Sequence, residues 1–393
     1  MAGATTFETL YRFTGKADGL GPYGGFATDS AGVLYGVTSR GGNFDNVNCG
    51  DGCGTIFSVD PASGKFAPLH KFTEAEGISL NSPLVSGGGK IFYGSAGFGG
   101  PGVPAGGGTI FKFDAGTRTV TVLYTLRGDN STLTLPGTSV TLANGGLYGS
   151  AVLGGTGNFG GIYRLDLATK ALKLVYAFGG TGAKPAGYNM NIGMVVGKDG
   201  MLYGATFGGG PKNTGVLFRI DPKTQKITGL HAIDDGNGGT ISSTLTVGPD
   251  GTLYGTTTQG STMKHSCDLT GCGAVFKFDP KTLKFTVLHS FTGGTDGGFP
   301  EGSTAINATG SILFGTTAFG GTHKHGALYR IALANNKLTD LYAFTGGFGG
   351  GMDEDSHPSL ALRGGRLYGN TDSGGAPTAC NNQGCGTIFK LTP

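Results

Sequence analysis

The chain has 393 residues, of which only 13% are charged, and its net charge of +3 leaves neither a nucleic-acid footprint nor a charge-rich disordered tail. Glycine contributes 81 residues without a collagen period and clusters between alternating apolar runs, the composition of many short strands joined by tight turns. The sequence shows no signal peptide and no membrane span, and Met1-Ala-Gly-Ala reads as a start from which a leader has been removed.

In chain order, the first recognisable element is Leu10-Tyr-Arg-Phe13, which has the character of the last strand of a unit that has not yet begun. A unit then recurs seven times, marked by Tyr35-Gly36, Tyr93-Gly94, Tyr148-Gly149, Tyr203-Gly204, Tyr254-Gly255, Phe314-Gly315 and Tyr368-Gly369. The intervals of 58, 55, 55, 51, 60 and 54 residues are those of a propeller or array.

Each unit reads as four strands. A short apolar strand such as Gly193-Met-Val-Val196 closes on a Gly/Asp/Asn turn. The second strand carries Leu-Tyr-Gly-x-Thr, where a glycine inside a strand implies close approach by a neighbouring blade. The third runs Gly-x-hydrophobic-aromatic, as in Gly54-Thr-Ile-Phe57, and mostly ends in an aspartate that serves the following turn. The fourth resembles Leu288-His-Ser-Phe291.

The seventh repeat stops after its third strand, so Leu10–Phe13 supplies the missing fourth. This predicts an all-β fold, a seven-bladed β-propeller of four-stranded blades whose last blade is closed by the N-terminal strand. The blade units fall at about 20–72, 77–126, 132–178, 187–233, 240–291, 299–344 and 357–391 plus 7–13, within a single domain. The succession of Leu-Tyr-Gly-x-Thr, Gly-Gly and Gly-Thr-Ile-Phe resembles the GloVer tandem repeat of exported bacterial proteins over residues 7 to 391. That resemblance implies a propeller and export or surface anchoring, and it carries no catalytic motif.

The cysteines pair locally as Cys49/Cys53, Cys267/Cys272 and Cys380/Cys385, which reads as three short-loop disulfides in an oxidising compartment; free thiols or zinc are the alternatives. The chain is therefore expected to be secreted, periplasmic or at the cell surface.

Loops joining strands two and three, and those joining one blade to the next, emerge on one face. From second-strand aromatic to third-strand glycine the spacings are 19, 15, 12, 12, 19, 12 and 18 residues, and the three longest are the cysteine-bearing insertions, expected to shape a rim. His70, His231 and His289 replace a tyrosine of the fourth strand and are excluded from the site.

His265, His323, His325 and His357 all fall in loops of the first class in adjacent repeats, with Tyr188 across the channel mouth. These are the candidate acid/base groups. Arg40, Arg127, Lys184, Lys324, Glu301 and Asp353 are the candidate substrate-binding residues. The expected partner is an extracellular polysaccharide or oligosaccharide, acidic rather than neutral because Lys, Arg, His and Tyr are present and Trp is absent. Phe44, Phe98, Phe159, Phe207, Phe319 and Phe348 remain available to stack on a sugar ring.

If catalytic, the chemistry would be β-elimination of a uronate polymer, with Lys or Arg neutralising the carboxylate and His or Tyr moving the protons. A hydrolase would instead use Glu301 with Asp353 or Glu354. A noncatalytic scaffold on the same face is the reading from another class. No cofactor is expected to be required; a bound metal is the alternative, with His323 and His325 offering two ligands and His357 with Asp353 or Asp355 two more, although the spacing matches no recognised metal motif. No nucleic acid, no membrane insertion and a monomer complete the expectation.

Overall fold

The computed structural model describes residues 5–44, 48–102, 107–127, 133–137, 139–179, 187, 190, 192–234, 239–241, 243–260, 267, 271–346, 360–375, 380 and 384–393. These residues form seven antiparallel sheets arranged in a ring, a seven-bladed β-propeller. From the central channel outward, blade 1 is Leu20–Thr28, Leu34–Arg40, Thr55–Val59 and Phe66–Lys71. Blade 2 is Val85–Gly88, Ile91–Ala96, Thr109–Asp114 and Thr119–Thr125. Blade 3 has its inner strand broken into Thr134–Pro136 and Thr141–Ala143, followed by Gly146–Leu153, Gly161–Asp166 and Leu172–Ala177.

Blades 4 to 6 follow the same order with inner strands of two residues. They are Val195–Val196, Leu202–Ala205, Val216–Ile220 and Ile227–Ala232; Thr246–Val247, Leu253–Thr257, Ala274–Asp279 and Lys284–Ser290; and Ala305–Ile306, Ile312–Thr317, Ala327–Ala332 and Lys337–Ala343. Blade 7 is Ala361–Arg363, Arg366–Thr371 and Thr387–Thr392, completed on the outside by Thr6–Arg12. The N-terminal strand therefore closes the last blade, with Thr6 opposite Thr392 and Tyr11 opposite Ile388.

A single blade cannot bury either face alone, so the core lies between blades. Seven apolar clusters fill the seven interfaces; Tyr35, Val37, Phe92 and Phe111 belong to the one between blades 1 and 2, and Phe13, Leu34, Phe57, Tyr368 and Ile388 to the one joining blade 7 to blade 1. No helix of the described residues is long and apolar enough to cross a membrane.

The repeated motif acts inside each blade. Gly94, Gly204 and Gly255 pair with Phe111, Phe218 and Phe276 of the third strand. A Cβ at these glycines would lie 2.5, 2.7 and 2.6 Å from the aromatic Cζ, and the other four blades are as tight or tighter. The close approach expected from a neighbouring blade is thus made by the same blade's own third strand, whose ring crosses over the glycine.

The motif threonine has a separate task. Thr206, Thr257 and Thr317 accept the first third-strand N–H at 3.1, 3.1 and 3.0 Å, which fastens the mouth of the strand-two-to-three loop. A register irregularity precedes the third-strand aromatic where strands three and four pair, as at Val275/Phe276 and Leu328/Tyr329. Such a bulge bends the outer strand and increases its twist.

Candidate functional site

Backbone pairing establishes that the two loop classes share a face: Ile78 between blades 1 and 2 bridges to Phe98 in the blade 2 loop, and Gly298 bridges to Phe319 in blade 6. This loop face is built from recurring parts. All six cysteines are disulfide-bonded, as Cys49–Cys53, Cys267–Cys272 and Cys380–Cys385.

In the same three blades, the outgoing loop begins with a threonine whose backbone N–H donates to a carboxylate three or four residues on. Thr14 donates to Asp18 at 2.9 Å, Thr73 to Glu76 at 2.9 Å and Thr292 to Asp296 at 3.0 Å. Each carboxylate also meets the fourth-strand side chain: Tyr11 Oη is 2.9 Å from Asp18, His70 Nε2 3.1 Å from Glu76 and His289 Nε2 3.0 Å from Asp296.

Burial works against ionisation of Asp296, but the bonds from His289 and Thr292 outweigh it and hold the carboxyl below its ordinary range. The disulfide insertion and the outgoing loop are joined in turn, since the Phe299 N–H donates to the Cys272 carbonyl at 2.9 Å and the Gly21 N–H to that of Cys385 at 3.1 Å. His70 and His289 are therefore rim-bracing residues. His231, the third of this set, stacks on Phe285 with ring centroids 4.8 Å apart.

Of the candidate acid/base residues, His323 and His325 flank Lys324 on one short exposed loop of blade 6. His325 lies against Gly346 of the following inter-blade loop. His265, His357 and Tyr188 lie outside the described residues, as do Lys184 and Asp353. Arg40 faces Asp51 of its own loop at 3.5 Å, with both side chains exposed. Arg127 lines a cleft of about 260 Å³ with Tyr124, Leu126, Leu133, Leu172 and Leu174, at the outer edge of blades 2 and 3.

Glu301 lines the central channel rather than the rim. Among the described residues no group of three His, Cys, Asp or Glu is assembled that could hold a metal ion.

The channel is a cavity of about 530 Å³ lined by inner-strand residues of every blade, including Tyr23, Asn81, Ser139, Thr244, Ser303 and Arg363. Its wall is stitched by side chains that replace inter-strand backbone pairing: Thr141 Oγ1 donates to the Met194 carbonyl at 2.7 Å, Thr246 Oγ1 to that of Thr304 at 2.6 Å, and Arg363 to Thr28. Sequence reasoning passed over these residues, although a Ser or Thr recurs at the inner-strand positions of most repeats.

A second feature is the distribution of exposed rings. The exposed phenylalanines among the described residues are Phe44, Phe98, Phe159 and Phe207, each at least 40% exposed. They lie in the strand-two-to-three loops of blades 1, 2, 3 and 4 in succession. Phe319, the blade 6 equivalent, packs edge-on to Phe299 instead, with centroids 6.2 Å apart.

Among solved structures, the chain is similar to the extracellular domain of a protein described as a hybrid two-component system from B. thetaiotaomicron, with a TM-score of 0.60 and 12% identity over 99% of this chain and 40% of that one. It is similar to an oligogalacturonate lyase from Vibrio parahaemolyticus, at a TM-score of 0.57 and 12% identity over 99% and 97% of the two chains. It is also similar to the GH74 enzyme of Niastella koreensis, at a TM-score of 0.59 and 14% identity over 93% and 52%.

At these identities the likeness is one of fold. No curated protein matches the chain. The Gloeobacter/Verrucomicrobia repeat model matches residues 1–149, 102–311 and 262–393. Since these matches together span all seven repeats, the chain belongs to the Gloeobacter/Verrucomicrobia repeat family.

Proposed function

We propose that the loop face binds an extracellular polysaccharide, and that the row of exposed phenylalanines on blades 1 to 4 is its binding platform. That row is the observation that carries the reading. Four large rings, each at least 40% exposed, on one face and in consecutive blades leave apolar surface in water at a cost in solvation free energy, and aromatic faces are suited to the C–H surfaces of sugar rings. The three disulfides agree with an oxidising, exported setting. Two of the similar folds named above act on carbohydrate, which supports the same class of ligand without specifying it.

The charge of the face favours a neutral chain over the acidic one expected from the sequence. Arg40 is opposed by Asp51, and Glu74, Glu76 and Asp296 also stand at this end of the strands. The test is retention on neutral and uronate polysaccharides in affinity electrophoresis. Neutral glucans should retard the chain, and Phe98→Ala with Phe207→Ala should abolish the shift while leaving the unfolding midpoint unchanged. Equal retardation of that variant would refute the platform.

A second reading, β-elimination of a uronate polymer, rests on His323 and His325 flanking Lys324 on one exposed loop. There Lys324 would neutralise the carboxylate while one imidazole removes the C5 proton and the other protonates the leaving oxygen. Release of an unsaturated product from polygalacturonate or alginate, lost in His323→Ala with His325→Ala, would establish it. An inert chain that still binds glycan would discard it and leave the binding module.

A further inference from the structure

The propeller is polarised in charge along its axis. Nineteen of the 28 Lys and Arg residues lie in the turns joining strands one and two or three and four, or in the strand ends that lead into them, against nine of the 25 Asp and Glu residues. A chain whose net charge is only +3 thus carries a strongly positive turn face.

The pattern is built into the repeat. Opposite the second-strand aromatic, the third strand holds Lys112, Arg164, Arg219, Lys277, Arg330 and Lys390 in six of the seven blades. The turns between strands three and four add exposed lysines such as Lys65, Lys223 and Lys281. At the left-handed position of this turn, where blade 1 has Gly64 at φ 69, blades 2 and 3 hold Arg118 at φ 60 and Lys170 at φ 61. Blades 4 to 6 hold Gln225, Leu283 and Asn336 there at φ 60, 57 and 56, so the position takes long polar, basic or apolar side chains in place of glycine. On this face Arg164 pairs with Asp166 at 2.9 Å and Lys390 with Glu8 at 2.5 Å, while Asp221 and Asp279 accept the backbone N–H of Lys223 and Lys281 at 2.8 and 2.9 Å, so the surplus of cations over acids carries the positive charge.

We propose that the turn face docks on the surface of a bilayer of anionic phospholipid, leaving the loop face turned outward. The occupant follows from the layout of the charge. The cations encircle the whole ring instead of following a groove, and the turns between strands three and four are only four to six residues long, so the face is flat. A linear polyanion would meet the few cations along one line, whereas an extended anionic surface meets those of every blade at once. Val196 and Leu283 are exposed large apolar side chains at this same end and suit a headgroup boundary.

The full chain is to be sedimented with vesicles of phosphatidylcholine alone and of equimolar phosphatidylcholine and phosphatidylglycerol, over a range of NaCl. It should sediment with the anionic vesicles only and be released as salt shortens the screening length. Each engaged cation is worth about fivefold in affinity, so K223Q/K226Q/K281Q/K284Q should weaken binding by at least about a hundredfold. The loop-face variant K16Q/K71Q/K212Q should change it by no more than about twofold. The proposal is overturned by equal binding to neutral vesicles, by equal losses in the two variants, or by retention on soluble polygalacturonate with no vesicle binding at low salt.

Discussion

Replacing Gly255 by alanine separates two explanations of the repeat signature. On backbone grounds alone the change should help, because glycine in a strand interior costs roughly 0.5–1 kcal/mol relative to alanine. The packing predicts the opposite sign. The new methyl would sit 2.6 Å from Phe276 Cζ and 2.9 Å from Leu245 Cδ2, against a ring that is fully buried. Neither neighbour is the free end of an exposed side chain, so relief requires moving a core ring, an overpacking strain of about 1–3 kcal/mol.

Urea unfolding of Gly255→Ala should therefore show a lowered midpoint at unchanged m-value. Gly50→Ala, where nothing lies within 4 Å, should stay within about 0.5 kcal/mol of the parent. Shortening the ring as Phe276→Leu should rescue Gly255→Ala, the pair coupling by about 1 kcal/mol or more. A stabilised Gly255→Ala, or a double variant whose losses simply add, would refute the assignment of the motif to ring-over-glycine packing.

Thr257→Val keeps the shape but removes the acceptor of the Ala274 N–H, and should cost about 1–3 kcal/mol in the same unfolding assay. Opening the Cys267–Cys272 disulfide with a paired serine substitution should cost about 2 kcal/mol, the loop being short, and should raise hydrogen exchange in the adjoining Phe299 segment first. Burial pushes the His231 imidazole below its ordinary pKa of 6.5, only partly opposed by Asp234. The unfolded chain then binds this proton more readily, so stability is lost as pH falls below 6.5 toward the folded value. His231→Phe should flatten that part of the stability-versus-pH curve; an unchanged slope would mean that His231 is not desolvated.

The sequence by itself determined the number of blades, their four-strand order and the closure by the N-terminal strand. Each of these follows from a pattern that every unit must satisfy to bury its faces, and seven copies restate it. Leu10–Phe13 was legible as a fourth strand because it carries the same apolar-aromatic spacing as Leu288–Phe291, and the pairing of Thr6–Arg12 with Thr387–Thr392 follows. The turn aspartates were legible for the same reason.

Tertiary structure decided matters that depend on which side chains meet across strands. It reassigned the motif glycine from an inter-blade contact to its own blade's third-strand ring, because register, not sequence distance, sets Gly255 opposite Phe276. It drew Glu301 into the channel, turned His70 and His289 into partners of Glu76 and Asp296, and set Phe319, packed on Phe299, apart from the exposed Phe44, Phe98, Phe159 and Phe207. Loop residues escape the repeat's constraint, so their neighbours are chosen by the ring's geometry. Charge polarity is likewise hidden in a net charge near zero, since alternate ends of antiparallel strands return to the same face only once the blades have formed.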